Sequence, residues 1–107
     1  MKAIVYHEYG SADVLKCEDV EQPVPKDNEV RIRVRAAAVN PLDWRLMKGE
    51  PKIARWVGKL MGMSSGRPGV DVAGEVEAVG ANAKQFKIGD KVFGACRGAF
   101  AEYACSD

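Results

Sequence analysis

The chain has 107 residues, of which 47% are hydrophobic, and a formal net charge of +1 at pH 7. A chain of this length buries roughly two-thirds of its unfolded surface, so one domain can fold around one core without disulfides or structural metals. Lys and Arg are spread along the whole sequence, which argues against the concentrated basic patch that binds nucleic acids or anionic lipids and favours a small neutral partner.

No stretch approaches the roughly 18 consecutive apolar residues of a membrane span. The apolar run at the start is interrupted by His7 and Glu8, which is too early for a secretory signal peptide. We therefore expect a cytoplasmic protein that does not associate with membranes.

The three cysteines and the single histidine offer little from which to build a metal site. Cys17, Cys96 and Cys105 lack the two-residue spacing of zinc and redox motifs, and His7 is not close to any of them in sequence. The sequence therefore predicts idle thiols, a structural His7 and no bound metal.

Alternation of apolar and polar residues predicts the first strands. Residues 2–8 and 14–20 are predicted strands joined by a turn, and residues 22–28 form a loop because neither of its prolines can donate a ladder hydrogen bond. Residues 29–36 predict a strand with three apolar residues on one face and three arginines on the other. The arginine row could bind phosphate or another chain, but a solvated sheet face is the interpretation we adopt.

Two helices are predicted after this strand. Asn40 can cap the first, Pro41 suits its first position, Asp43 favours the helix dipole in the first turn, and Gly49 can end it. Residues 51–63 carry an apolar stripe at helical spacing, which we interpret as core or pocket wall.

The stretch from residue 69 to residue 80 predicts a bent, half-buried central strand. Gly74 within it indicates a bulge or a close backbone approach rather than a ligand contact. Residues 86–94 contain a Gly-Asp turn and predict a hairpin-like return, and residues 99–104 predict a last strand with Phe100 and Tyr103 held by the core. Many short strands and Gly-rich turns indicate a mainly β domain, a barrel or a sandwich.

The sequence contains neither of the common phosphate-binding glycine loops and no Gly-x-Ser-x-Gly nucleophile turn. The residues alone therefore indicate a β-rich domain and no particular reaction.

Four segments, in order and suitably spaced, resemble the N-terminal GroES-like domain of medium-chain dehydrogenases/reductases. The resemblance covers essentially the whole chain and implies a partly open β-barrel with two short helices. It points to the zinc-independent branch of NAD(P)H:quinone oxidoreductases and enone reductases. The segments are Val39-Asn40-Pro41-Leu42-Asp43 with Lys48-Gly49, Pro68 to Val76 with Val79-Gly80, Phe86 to Val92, and Gly98 to Tyr103.

Departures from the zinc-dependent alcohol dehydrogenases indicate the branch. Asn40 stands where those enzymes have a zinc-binding cysteine, Leu42 replaces a hydroxyl that relays protons, and Val70-Asp71 replaces a His-Glu pair. The lobe of four cysteines that holds structural zinc is missing. An amide, a leucine and a valine cannot replace these ligands, so the resemblance implies a reaction without metal.

The resemblance also implies site residues. Asn40 and Asp43 stand at catalytic positions, although Asp43 could serve only as a helix cap. Asn40 and Pro41 are expected beside the nicotinamide of NADPH or NADH, and the substrate pocket is expected to include Trp44, Met47 and Trp56.

The family binds its dinucleotide on a Rossmann domain that residues 1–107 do not contain, so we expect a domain fragment that alone binds NADPH weakly and is inactive. The expected substrate is a quinone or enone, and a homodimer is compatible with the resemblance. The alternative is a catalytically silent GroES-like scaffold or binding module.

Overall fold

The computed structural model describes residues 1–48 and 66–107, apart from the side chains of Trp44, Arg45, Leu46 and Lys48. The predicted second helix over residues 51–63 lies outside the described residues. No helix in the described part has the length and apolar character needed to cross a bilayer.

The described ranges contain two antiparallel sheets, one of two strands and one of four. The larger sheet has the strand order β5-β4-β3-β6, and its two edge strands leave it open, which confirms the predicted mainly β, partly open barrel. The elements are β1 Lys2–Val5, a 3₁₀ turn Ala12–Val14, β2 Lys16–Asp19, β3 Val30–Ala38, α1 Pro41–Lys48, β4 Asp71–Val79, β5 Lys91–Ala95 and β6 Tyr103–Ser106.

Strand β3 carries the predicted alternation of faces. Val30 and Ile32 are buried, whereas Arg33 and Arg35 are exposed. Arg31 is half-buried because its guanidinium donates to a carboxylate oxygen of Glu77 on β4 at 2.8 Å. The arginine face is therefore a sheet surface with ion pairs to β4, as interpreted from the sequence.

The first predicted strand is shorter than expected, and the last, predicted over residues 99–104, is displaced to Tyr103–Ser106. Strand β1 stops at Val5, since the N–H of Tyr6 donates to the carbonyl of Gly66 at 2.8 Å. Strand β6 begins only at Tyr103, because the N–H groups of Ala99 and Phe100 bond to the carbonyls of Gly69 and Pro68.

The hydrophobic core lies against the larger sheet. In the segment before β6, the residue that enters the core is not the predicted one. Ala99 is fully buried, whereas Phe100, the predicted core residue, is half-buried. Gly69, at φ 106°, packs so closely against this segment that an added Cβ would lie 2.6 Å from the backbone nitrogen of Phe100 and 2.9 Å from Cβ of Ala99. The cluster of buried residues comprises Val30, Ile32, Val72, Val76 and Ala99.

Gly74 marks a close backbone approach, as predicted. It pairs with Val34 at one of the two register shifts between β3 and β4. A Cβ atom there would collide with the carbonyl oxygen of Arg33 and lie 2.9 Å from Cγ2 of Ile32. The predicted hairpin return is also present, with Gly89 at φ 97° in the turn before β5.

We predict that Gly74→Ala lowers the free energy of unfolding by about 3 kcal/mol, because backbone of β3 must move to admit one methyl group. The control is Gly89→Ala, where no atom lies within 4 Å of the new Cβ, so only the left-handed backbone costs stability, by about 1 kcal/mol. Urea denaturation measures both. A Gly74→Ala protein as stable as the parent would contradict the steric account.

Candidate active site

The candidate site lies at the end of the β3–β4 pair. Ala38 and Asp71 are paired there, at the C-terminal end of β3 and the start of β4. Asn40 follows Ala38 by two residues and immediately precedes α1. The strand register therefore brings Asn40 and Asp71 together, although they are 31 residues apart in sequence.

The side chains of Asn40 and Asp71 form a direct hydrogen bond. The Nδ2 atom of Asn40 donates to Oδ2 of Asp71 at 2.7 Å. Asn40 is half-buried and Asp71 is exposed, so the pair sits where a ligand could reach it. Sequence reasoning did not identify Asp71 as a partner of Asn40, because the contact depends on a strand register that composition and spacing do not reveal.

Asp43 is buried, with 5% exposure, and its carboxylate joins two segments. Oδ2 accepts the backbone N–H of Asn40 at 2.9 Å, and Oδ1 accepts the N–H of Gly69 at 3.1 Å. The first bond is half of a capping box, in which the third helical residue bonds back to the cap residue. Asn40 stands at the predicted cap position immediately before α1, and its amide nitrogen donates to Asp71. Capping of α1 by the side-chain oxygen of Asn40 stays a prediction.

A small cavity of about 20 Å³ lies beside Asp43, between Tyr6 and Arg67. Burial raises the pKa of the Tyr6 hydroxyl above its usual value, and the neighbouring Tyr9 adds to the effect. Tyr6 therefore stays neutral at physiological pH. The cavity has room for about one water molecule and not for a substrate.

Of the three residues predicted to line the substrate pocket, the structure describes the side chain of Met47. Met47 is buried, with 6% exposure, and its backbone carbonyl accepts the N–H of Gly10 at 3.0 Å. The Trp44 side chain and the whole of Trp56 lie outside the described residues. Their role in a substrate pocket stays a prediction, as do the catalytic role of Asn40 and Asp43 and the contact of Pro41, which is exposed, with a cofactor.

The residues that replace the zinc ligands in the sequence comparison are poor ligands for zinc. Val70 has no ligating atom, and the amide nitrogen of Asn40 donates to Asp71. In residues 1–48 and 66–107, no three His, Cys, Asp or Glu side chains lie together in a way that could hold a metal ion.

The described cysteines are free thiols. Burial raises the pKa of the Cys96 thiol to about 11, with Cys105 and Asp71 adding to the rise, and burial also raises the pKa of Cys105. Neither thiol is a ready nucleophile at neutral pH, because the thiolate is the reactive form.

The fold and the site together define a GroES-like domain. Residues 26–107 match the alcohol dehydrogenase GroES-like domain family, and the chain belongs to it. Its similarity to quinone oxidoreductases assigns it to that branch of the medium-chain dehydrogenases/reductases, as the sequence motifs indicated.

Three relatives illustrate the similarity. A chloroplastic quinone-oxidoreductase homolog from Spinacia oleracea is 41% identical over 111 residues, covering 97% of this chain and 32% of that protein. The quinone oxidoreductase from Coxiella burnetii has a TM-score of 0.86 and 34% identity, covering 100% of this chain and 34% of that one. A mycobacterial structure complexed with NADPH has a TM-score of 0.76 and 30% identity, covering 99% of this chain and 30% of that one. The chain therefore spans about a third of the length of these relatives.

We predict that Asp43→Asn lowers the free energy of unfolding by about 2 kcal/mol, because one amide NH2 must face a buried backbone N–H. The control is Asp90→Asn, since the carboxylate of the half-buried Asp90 also accepts a backbone N–H, from Lys87 at 2.9 Å, in a bond that solvent can reach. Water can replace that bond, so the control should lose less than about 1 kcal/mol. Equal losses in urea denaturation would contradict a special role for the buried carboxylate.

We further predict that iodoacetamide modifies the exposed Cys17 well before Cys96 at pH 8. With a pKa of about 11, Cys96 is ionised in roughly one molecule in a thousand at that pH. Its modification should accelerate as the pH rises toward 11, since the thiolate fraction grows. Peptide mass spectrometry measures both rates, and equal rates at pH 8 would show that burial does not protect Cys96.

Proposed function

We propose that this domain forms the substrate side of a zinc-independent, NAD(P)H-dependent oxidoreductase that reduces quinones or enones. The observation that carries the proposal is the Asn40 carboxamide held at the end of the β3–β4 pair by a bond to Asp71 and a backbone bond to Asp43. The names of the relatives and the NADPH complex of one of them support it.

The reaction class agrees with the residues at the site. The cofactor, when bound, supplies a hydride from its reduced nicotinamide. The developing negative charge on a quinone or enone spreads over a conjugated system, so neutral hydrogen-bond donors can stabilise it without a Lewis acid. In this proposal Asn40 faces the nicotinamide and Pro41 provides a rigid wall beside it.

The dinucleotide is held mainly by a Rossmann domain that accompanies this one in the longer protein, and the active site is the cleft between them. Residues 1–107 alone therefore bind NADPH weakly and do not turn over. NADPH is the expected cofactor, and NADH is the alternative. A cytoplasmic location and a homodimer stay predictions, and the spinach relative is chloroplastic.

The alternative is a GroES-like domain that serves as a scaffold without catalysis. It predicts no quinone-dependent oxidation of NADPH or NADH by the full-length protein. The enzyme proposal predicts turnover, so a single assay with a simple quinone separates the two.

We predict that Asn40→Ala lowers kcat/KM for NADPH-dependent quinone reduction by at least about tenfold in the full-length protein, the loss expected from one polar contact to the reacting groups. The loss arises because the alanine offers no hydrogen bond to nicotinamide or quinone. Absorbance of NADPH measures the rate.

The matched control is Asn82→Ala, which removes an exposed carboxamide outside the site. Its kcat/KM should equal that of the parent. Unchanged activity in Asn40→Ala would remove the basis of the proposed role, and an inactive parent protein would favour the scaffold.

A further inference from the structure

The hydrogen bond between Asn40 and Asp71 determines which way the Asn40 carboxamide is turned. A carboxamide has a nitrogen that only donates and an oxygen that only accepts, whereas an ionised carboxylate only accepts. The nitrogen must therefore be the atom that faces Asp71 at 2.7 Å, because the reversed amide would oppose two acceptors. The oxygen and the second N–H of the amide then point in other directions.

The backbone of Asn40 is fixed independently of its side chain. Its N–H bonds to the buried Asp43, which also bonds to Gly69, two residues before Asp71. Both partners of the Asn40–Asp71 bond thus belong to one hydrogen-bonded frame. The amide therefore loses little further conformational entropy when a ligand binds, as a preorganised contact requires.

Asp71 has no competing structural task in the part of the chain that the structure describes. It forms no ion pair among residues 1–48 and 66–107, and its side-chain hydrogen bond is the one to Asn40. It is exposed, so its side chain fills no part of the core. A carboxylate placed this way affects its surroundings chiefly through the amide that it orients.

We propose that Asp71 is a positioning residue that directs the oxygen and the second N–H of Asn40 toward the primary carboxamide of a nicotinamide cofactor. An acceptor and a donor side by side match the N–H and C=O of such a group. This assignment rests on the function proposed above. It adds that Asp71, by orienting Asn40, helps the site recognise the nicotinamide end of the cofactor.

A double-mutant cycle tests whether Asp71 acts through Asn40. In the full-length protein, Asp71→Ala should raise the dissociation constant for NADPH about tenfold, the value of one hydrogen bond to a well-oriented group. In an Asn40→Ala background the same change should have no further effect, because the orienting target is gone. Independent effects that add in the double variant would overturn the proposal.

A second ligand separates positioning from a general loss of structure. Adenosine 2′,5′-bisphosphate shares the adenine end of NADPH but has no nicotinamide. Asp71→Ala should leave its dissociation constant unchanged, whereas weakened binding of both ligands would overturn the proposal. Calorimetric titration measures both constants in the full-length protein.

Two further variants complete the design. Asp71→Asn keeps an oxygen that can accept from Asn40, so it should recover NADPH binding to within about threefold of the parent; recovery no better than Asp71→Ala would overturn the proposal. The matched control is Glu75→Ala, which removes a different carboxylate of β4. Oε1 of Glu75 lies 3.6 Å from Nε of Arg35. This variant should leave NADPH binding unchanged, and a loss equal to that in Asp71→Ala would show a general charge effect instead.

The failure of this inference is distinguishable from failure of the proposed function. If Asn40→Ala weakens NADPH binding and Asp71→Ala does not, the function stands and the role of Asp71 is wrong. If the parent binds neither NADPH nor NADH, the proposed function itself is wrong, and this inference fails with it.

Discussion

The geometry of the site depends on one buried carboxylate. Asp43 is held by two backbone N–H groups, one at the start of α1 and one at Gly69 in the segment that enters β4. A buried carboxylate is unfavourable unless hydrogen-bond donors satisfy it. Separation of the two segments would therefore leave the Asp43 carboxylate without its donors. This constraint fixes the distance between Asn40 and the start of β4, and with it the bond from Asn40 to Asp71.

The shape of the sheet explains why the polar residues collect at this place. Strands β3 and β4 pair over nine-residue elements with two register shifts, and Gly74 lets the backbones approach at one of them. Bulges bend a strand and often lie beside functional sites, because they redirect the residues that follow. The pair ends at Ala38 and Asp71, and the chain turns there into α1 instead of continuing as sheet.

Local patterns predicted most of the fold, and contacts between distant segments were the part that could not be predicted. The alternation along β3, the hairpin return and the close approach at Gly74 follow from neighbouring residues. Ala99 is fully buried where Gly69, thirty residues earlier in sequence, approaches it closely, and no local pattern reveals that approach. At the site, the motifs drew attention to Asn40 and Asp43, but the partnership with Asp71 required the strand register.

The charges around Asn40 also limit the chemistry that the site can favour. Asp43 and Asp71 place two carboxylates near the amide, and a localised oxyanion beside them would be repelled at short range. The two backbone N–H groups on Asp43 and the amide N–H on Asp71 disperse part of that negative charge. A reaction whose charge spreads over a conjugated ring system tolerates the remainder better than one that concentrates charge on a single oxygen. This electrostatic argument supports the proposed reduction of quinones or enones, in which the developing charge is delocalised.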